Sequence, residues 1–213
     1  KPPRQPVEKQ DCVGVDLGIN CLATCSDGKE IDNPKALSKK LKKLKRLNQA
    51  LSRKVKGSHN RYKAKLQLSK LHQRIKNIRK DALHKLSYYL TTRFNTVVLE
   101  DLNVKGMIQN RKLSRAIADV GFYELRRQVE YKAKYYGAKV VFADRFYPSS
   151  KLCSSCGFKH EGLTLKDREW QCPHCETSHD RDVNAALNLK QLGLTKIAAS
   201  STVTACGEFG SGV

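Results

Sequence analysis

Acid is what this chain of 213 residues is short of. Its 20 Asp and Glu face 41 Lys and Arg, which leaves a net charge of +21 and a pI near 9.8. So large an excess of one sign calls for a polyanionic partner. Long apolar runs are also missing. None approaches the roughly 18 residues needed to cross a bilayer, and residues 1–10 are basic and Pro-rich without the apolar stretch of a signal peptide. Membrane insertion and secretion are thereby argued against, and a cytoplasmic setting is expected. The first residue is Lys1 rather than Met, and Pro2, Pro3 and Pro6 surround it. Residues 1–10 therefore read as a linker remnant, and the chain as a fragment of something longer. With 39% hydrophobic and 29% charged residues, the remainder has the composition of one globular domain of ordinary size that carries an insertion.

Proline is absent from residues 35–90, and so is nearly all acid. Nineteen basic residues stand there against Asp81 alone, which accounts for +18 of the total. Two apolar stripes at steps of three and four run through the segment. One is Leu37, Leu41, Leu44, Leu47, Leu51 and Val55, and the other is Leu71, Ile75, Ile78, Ala82, Leu86 and Tyr89. Such spacing predicts two helices. Gly57, Ser58 and Asn60 break the pattern between them, so an antiparallel helical hairpin is expected, with its stripes packed together and its outer faces cationic. A mixed-sign run would read as a solvated face, but like charges at i,i+4 repel one another and need a counter-charge. Lys39, Lys42, Lys43, Arg46, Arg53, Lys54, Arg61, Lys65, Arg74 and Arg79 are the candidate nucleic-acid contacts. Aromatics are few, with Tyr88 and Tyr89 closing the segment, so phosphate tracking fits better than base stacking.

Outside the hairpin, short β-branched or apolar runs alternate with helical patterns. Residues 12–17, 21–25 and a stretch near Ile31 read as three antiparallel strands turned at Gly18-Ile19-Asn20 and Asp27-Gly28. Residues 96–100 and 139–143 read as further strands, 119–136 as a helix ended by Gly137, and about 182–192 as a last helix. This is an α/β plan interrupted twice. Four of the eight cysteines form the pairs Cys153-x-x-Cys156 and Cys172-x-x-Cys175, with fifteen residues between them. Two knuckles of this spacing bring four thiolates around one Zn2+ at roughly 2.3 Å, a closed structural site. Cys12, Cys21 and Cys25 read as small buried strand residues, and Cys206 as part of a disordered tail.

Hydrolysis of phosphodiesters near neutral pH is served by two Mg2+ ions about 3.5–4 Å apart, which clustered carboxylates hold. Candidates stand at strand ends and helix starts. They are Asp16 in Val13-Gly14-Val15-Asp16-Leu17-Gly18, Glu100 in Val97-Val98-Leu99-Glu100-Asp101-Leu102, and Asp180 or Asp182 in His179-Asp180-Arg181-Asp182-Val183-Asn184-Ala185-Ala186. Strand alternation sets Asp16 opposite Val13, Val15 and Leu17, and sends Glu100 and Asp101 to opposite faces. Asp180 could equally cap the last helix, and Asp182 could answer its dipole. Taken singly, each acid reads more readily as structural than as catalytic.

Taken together, these motifs resemble the TnpB (OrfB) proteins of bacterial insertion sequences, as do Arg79-Lys80-Asp81-x-x-His84, Asn103-Val104-Lys105-Gly106-Met107 and Tyr147-Pro148-Ser149-Ser150. The resemblance runs in order from about Gln10 to Leu189. It implies an RNA-guided DNA endonuclease related to type V CRISPR effectors, with a mixed sheet of RNase H (RuvC) type that carries the helical hairpin and the four-Cys zinc ribbon as insertions. It further implies Asp16, Glu100 and Asp182 as magnesium-binding catalytic residues, a DNA target, a guide RNA from the transposon end, and a bacterial or archaeal, nucleoid-associated setting. The corresponding divisions are a linker at 1–10, sheet segments at 11–34 and 91–148, the hairpin at 35–90, the ribbon at 149–178, a helix at 179–193 and a tail at 194–213. The family's amino-terminal region, which helps to hold the guide, is almost all missing from this sequence. A nucleic-acid-binding protein without cleavage, and a transposase or resolvase that joins DNA, remain the alternatives.

Overall fold

The computed structural model describes residues 8–164 and 166–205. A meander of β1 (Gln10–Leu17), β2 (Cys21–Cys25) and β3 (Glu30–Asp32) is extended by β4 (Phe94–Glu100) and β5 (Lys139–Ala143), giving one sheet in the order β3-β2-β1-β4-β5. The meander pairs antiparallel, whereas β4 joins β1, and β5 joins β4, in parallel. The α/β class and all five sheet strands agree with the sequence pattern.

Alternation along β1 and β4 divides the sheet's two faces. Val13, Val15, Val97 and Leu99 face a large core built with Leu83, Leu86 and Leu90 of α2 (His59–Arg93) and Leu125 and Val129 of α5 (Phe122–Tyr136). Cys12, Val98 and Ala143 point the other way, to Leu189 of α6 (Arg181–Ala205). Gly14 lies on this second face, where a Cβ would stand 2.0 Å from the Ala186 carbonyl and 2.3 Å from the Lys190 amide nitrogen. The helix backbone thus rests directly on the strand, and only a residue without a side chain permits it.

The hairpin forms as α1 (Ala36–Ser52) folds back along the first part of α2, with Leu37, Leu44 and Leu47 against Leu71, Ile75 and Ile78. Gly57, at φ 81°, turns the chain, and Ser58 caps α2 by accepting from the Arg61 amide. Two expectations change here. Val55 lies beyond α1 and is 77% exposed, so the first stripe ends before it. The second stripe is divided: α2 is 35 residues long against 17 for α1, so its latter part, with Ala82, Leu86 and Tyr89, packs into the sheet core instead.

The helix expected over 119–136 is two helices, α4 (Ser114–Val120) and α5, because Gly121 takes the left-handed conformation at φ 78° and turns the chain between them. A short α3 (Val104–Gln109), which no apolar periodicity announced, follows β4. Asp119 is buried and joins the hairpin to the body. It bonds the Arg79 guanidinium at 2.7 Å and accepts from the Leu37 amide at 2.9 Å. The disordered tail expected from 194 is also revised. Helix α6 continues to Ala205, with Leu194 and Ile197 packed against the second core. Cys206 and the rest of that segment lie outside the described residues.

Gly14→Ala would drive a methyl group into the backbone of α6 and is expected to cost about 3 kcal/mol or more. A thermal melt that leaves Tm unchanged would show that helix and strand are not so closely seated.

Candidate functional site

The two parallel strands end side by side. Val15 stands opposite Leu99, and the next rung sets Asp16 against Glu100, both on the face that α6 covers. Asp101, one residue on, points away and is held by Arg126 at 2.8 Å and Arg145 at 3.0 Å, whose hydrogen bonds pull its carboxyl pKa down. Geometry therefore decides between Glu100 and Asp101 as the acid that meets Asp16. It also decides between Asp180 and Asp182. Beyond β5, the short β6 (Glu169–Gln171) pairs antiparallel with β7 (Ser178–Asp180). Asp180 closes β7 and caps α6, its Oδ1 accepting from the amides of Asp182 and Val183 at 2.9 Å each. With the cap supplied by Asp180, the Asp182 carboxylate in the first turn is left to face the sheet.

Asp16, Glu100 and Asp182 line one cavity of about 520 Å3. Burial raises the Asp16 pKa well above its ordinary 3.8, and the charges of Glu100 and Asp182 raise it further, with Arg181 and Arg168 opposing. Glu100 is likewise raised by burial, opposed by a hydrogen bond of 2.6 Å from the buried Ser149 hydroxyl. Asp182 is neutralised instead, by Arg168 at 2.8 Å and Arg181 at 3.2 Å. Three half-buried carboxyls of like charge in one cavity oppose folding unless cations join them. All are hard oxygen donors of the kind that Mg2+ takes, so the residues fit a divalent-ion site. Their oxygens stand further apart than the sulfurs of the four-Cys group.

Cys153, Cys156, Cys172 and Cys175 are free thiols whose sulfurs all lie within 4.8 Å of one another, the one such group of metal-ligating atoms among the described residues. The Cys153–Cys175 and Cys156–Cys172 separations are 3.6 and 3.7 Å, close to the edge of about 3.8 Å of a tetrahedron with Zn–S bonds of 2.3 Å. Each knuckle closes by the same turn. The amide four residues after the first cysteine returns to that cysteine's carbonyl, at Gly157 and at Glu176, and both residues have positive φ. A hydrogen bond with the Thr177 hydroxyl leads in holding the Cys175 thiol down to about 6. The Cys153 sulfur lies 3.1 Å from His179 Nε2.

The ribbon is fastened to α6 by side chains that sequence reasoning passed over. Asn184 donates to the Leu152 carbonyl and accepts from the Ser154 amide, and Asn188 donates to the carbonyls of Ser149 and Leu152. Their step of four on one helix face was the available signal. Arg168, one arginine among many, gave none.

Of the ten cations expected to meet nucleic acid, Lys39, Lys42, Lys43, Arg46, Arg53, Lys54, Lys65 and Arg74 are exposed. Lys43, Arg46 and Arg74 line a cleft of about 460 Å3 between the hairpin helices. The other two are structural. Arg61 staples the hairpin turn through the carbonyls of Leu51 and Lys54 at 3.0 Å each, and Arg79 is committed to Asp119.

Comparison with known proteins finds relatives over most of the chain. Residues 1–111 match the OrfB_IS605 family, described as probable transposases, and residues 122–189 match the Cas12f1-like TNB domain. A Streptomyces pristinaespiralis protein with the provisional name RNA-guided DNA endonuclease is 45% identical over 92% of this chain and 47% of its own length. Its Escherichia coli counterpart InsQ, under the same provisional name, is 36% identical over 92% and 51%. The chain thus spans about half the length of these relatives. The fold resembles that of Cas12f1 in a complex with single guide RNA and target DNA, at a TM-score of 0.59 and 19% identity over 84% of this chain and 49% of that one.

The raised Asp16 value carries a sign that can be tested. An acid whose folded pKa exceeds its unfolded value adds nothing unfavourable at low pH; stability then falls as pH rises from about 3.8 through the folded value. In EDTA at pH 7, Asp16→Asn should therefore raise Tm by roughly 2–4 °C, as about 1 kcal/mol does at this length, and the gain should vanish in acid. Equal melting of parent and variant at pH 7 would contradict it.

Proposed function

The chain belongs to the OrfB_IS605 family of probable transposases, and from that premise we propose that it is the nuclease portion of an RNA-guided DNA endonuclease with a RuvC-type centre. The observation that carries the reading is the convergence of Asp16, Glu100 and Asp182 on one cavity. A protein that only grips nucleic acid gains nothing from three half-buried acids that repel phosphate.

Asp16, Glu100 and Asp182, which line the same cavity, are the residues that would together hold the Mg2+ ions. Ions held there supply the Lewis acidity that favours attack of water on a DNA phosphorus and departure of the 3′ oxygen. The P–O3′ bond breaks, leaving a 5′-phosphate and a 3′-hydroxyl. The protein's own part is to fix the donors. Ser149 orients Glu100, the Asp180 cap sets the first turn of α6, and Asn184 and Asn188 tie that helix to the ribbon. Zn2+ on the four thiols would hold the ribbon's shape, since so small a module has little core of its own.

The exposed lysines and arginines of the hairpin are proposed to track the phosphates of the guide RNA or of its hybrid with target DNA. Such binding releases counterions and weakens steeply with salt. No described helix is long and apolar enough to cross a membrane. The structure adds no observation that favours DNA joining over hydrolysis.

Asp16→Ala, Glu100→Ala and Asp182→Ala are each expected to lower Mg2+-dependent DNA cleavage, in the presence of the guide RNA, by about 100-fold or more. A variant that cuts as fast as the parent sinks the assignment. Cys172→Ser is expected to release the one equivalent of zinc that the parent binds, read with a chromophoric chelator, and to lower Tm; a parent without bound zinc would refute the zinc reading.

A further inference from the structure

The carboxylate cavity has a neighbour. A second cavity, of about 270 Å3, opens at the carboxyl ends of β1, β4 and β5, and Glu100 lines both. Phe122 and Phe142 belong to its apolar wall, whereas Tyr123, Lys105, Arg126 and Arg145 bring a ring and three cations to it. The mechanism above uses none of these four.

Two observations point to a ligand. First, Tyr123, which lines the cavity, is 74% exposed, and Phe146, which follows Arg145 and flanks the cavity without lining it, is 87% exposed. The backbone that carries Phe146 is held: its amide donates to Asp144 Oδ1 at 2.8 Å, and the following amide, of Tyr147, bonds the Asp144 carbonyl. Second, the two arginines are fixed in place. Arg126 lies over the Phe142 ring at 3.8 Å, and it shares Asp101 with Arg145. A guanidinium has five N–H donors, so each keeps some for a further acceptor.

We propose that this cavity is a stacking subsite for an unpaired nucleotide of the DNA strand presented to the carboxylates, a claim that rests on the nuclease reading above. Open aromatic faces beside cations are how proteins hold single strands, with bases on the rings and phosphates on the cations. A base within a duplex has both faces covered by its neighbours and could not take such a place. The cavity's size suits one nucleotide, at the small end of ligand sites. Because Glu100 borders both cavities, a nucleotide held here would lie beside the phosphodiester at the acids.

The test is titration of a single-stranded oligodeoxynucleotide carrying 2-aminopurine, in EDTA so that nothing is cut. Quenching at saturation is the readout, since the cationic hairpin adds affinity without stacking. The parent is expected to quench the probe. Tyr123→Ala and Phe146→Ala should each remove about half of the quenching or more and weaken binding at moderate salt by about tenfold, while Tyr123→Phe and Phe146→Trp preserve both. Both side chains are exposed, so the alanine variants should melt like the parent. Undiminished quenching in the alanine variants overturns the subsite. So does an equal loss in the conservative pair, or equal quenching of the same sequence as a duplex. Because no metal is present, a protein that stacks bases but fails the cleavage test refutes the nuclease reading and leaves the subsite standing. One that cuts without stacking does the reverse.

Discussion

The seating of α6 on β1 is the contact on which the candidate site depends. Backbone meets backbone at Gly14, where the carbonyl of Ala186 and the amide of Lys190 occupy the space of a side chain. A second glycine, Gly193, repeats the device further along, where a Cβ would meet Val98 Cγ2 at 2.4 Å and Cys12 Sγ at 2.8 Å. With the helix so close, its first turn reaches the end of the strand it crosses, and Asp182 faces Asp16 and Glu100. Larger residues at these glycines would lift the helix and move Asp182 from its cavity.

Bringing like charges together is unfavourable, and the surrounding structure shows how the cost is met. Burial and mutual repulsion raise Asp16 and Glu100 toward their neutral forms, and Arg168 and Arg181 neutralise Asp182. Arg168 comes from the ribbon. The ribbon is in turn fixed to α6 by Asn184 and Asn188. Thiol cluster and carboxylate cavity are therefore one mechanical unit, although Arg168 and Asp182 lie fourteen positions apart in the sequence.

The hairpin stands in a different relation to the sheet. Its exposed cations have no acidic neighbours on α1, so the charge is left for a partner. Its attachment, however, is specific. Buried Asp119 grips both Arg79 on α2 and the first turn of α1, and the latter part of α2 is itself a core helix. A load on the outer hairpin is thus borne by the element that carries Leu83, Leu86 and Leu90, rather than by a flexible joint.

What could be read from the sequence was whatever repeats locally or carries a fixed spacing. Strand alternation set the faces of Val13, Val15 and Asp16, helical periodicity gave α1 and most of α2, and the two cysteine pairs announced their own cluster. Periodicity could not say that α2 outruns its partner, nor that Gly121 splits a helix, because a stripe records which side is buried and not by what. The acids posed the same difficulty. Asp180 and Asp182, like Glu100 and Asp101, are near-equivalent in composition; the family resemblance implied Glu100 and Asp182, and the cap on α6 and the grip of Arg126 and Arg145 on Asp101 supply the physical reason. By itself the sequence determined the elements and the excess positive charge, since both arise from neighbours along the chain. Tertiary structure alone decided which acids share a cavity and which cations are spent inside the fold, because those depend on distances between residues that only packing brings together.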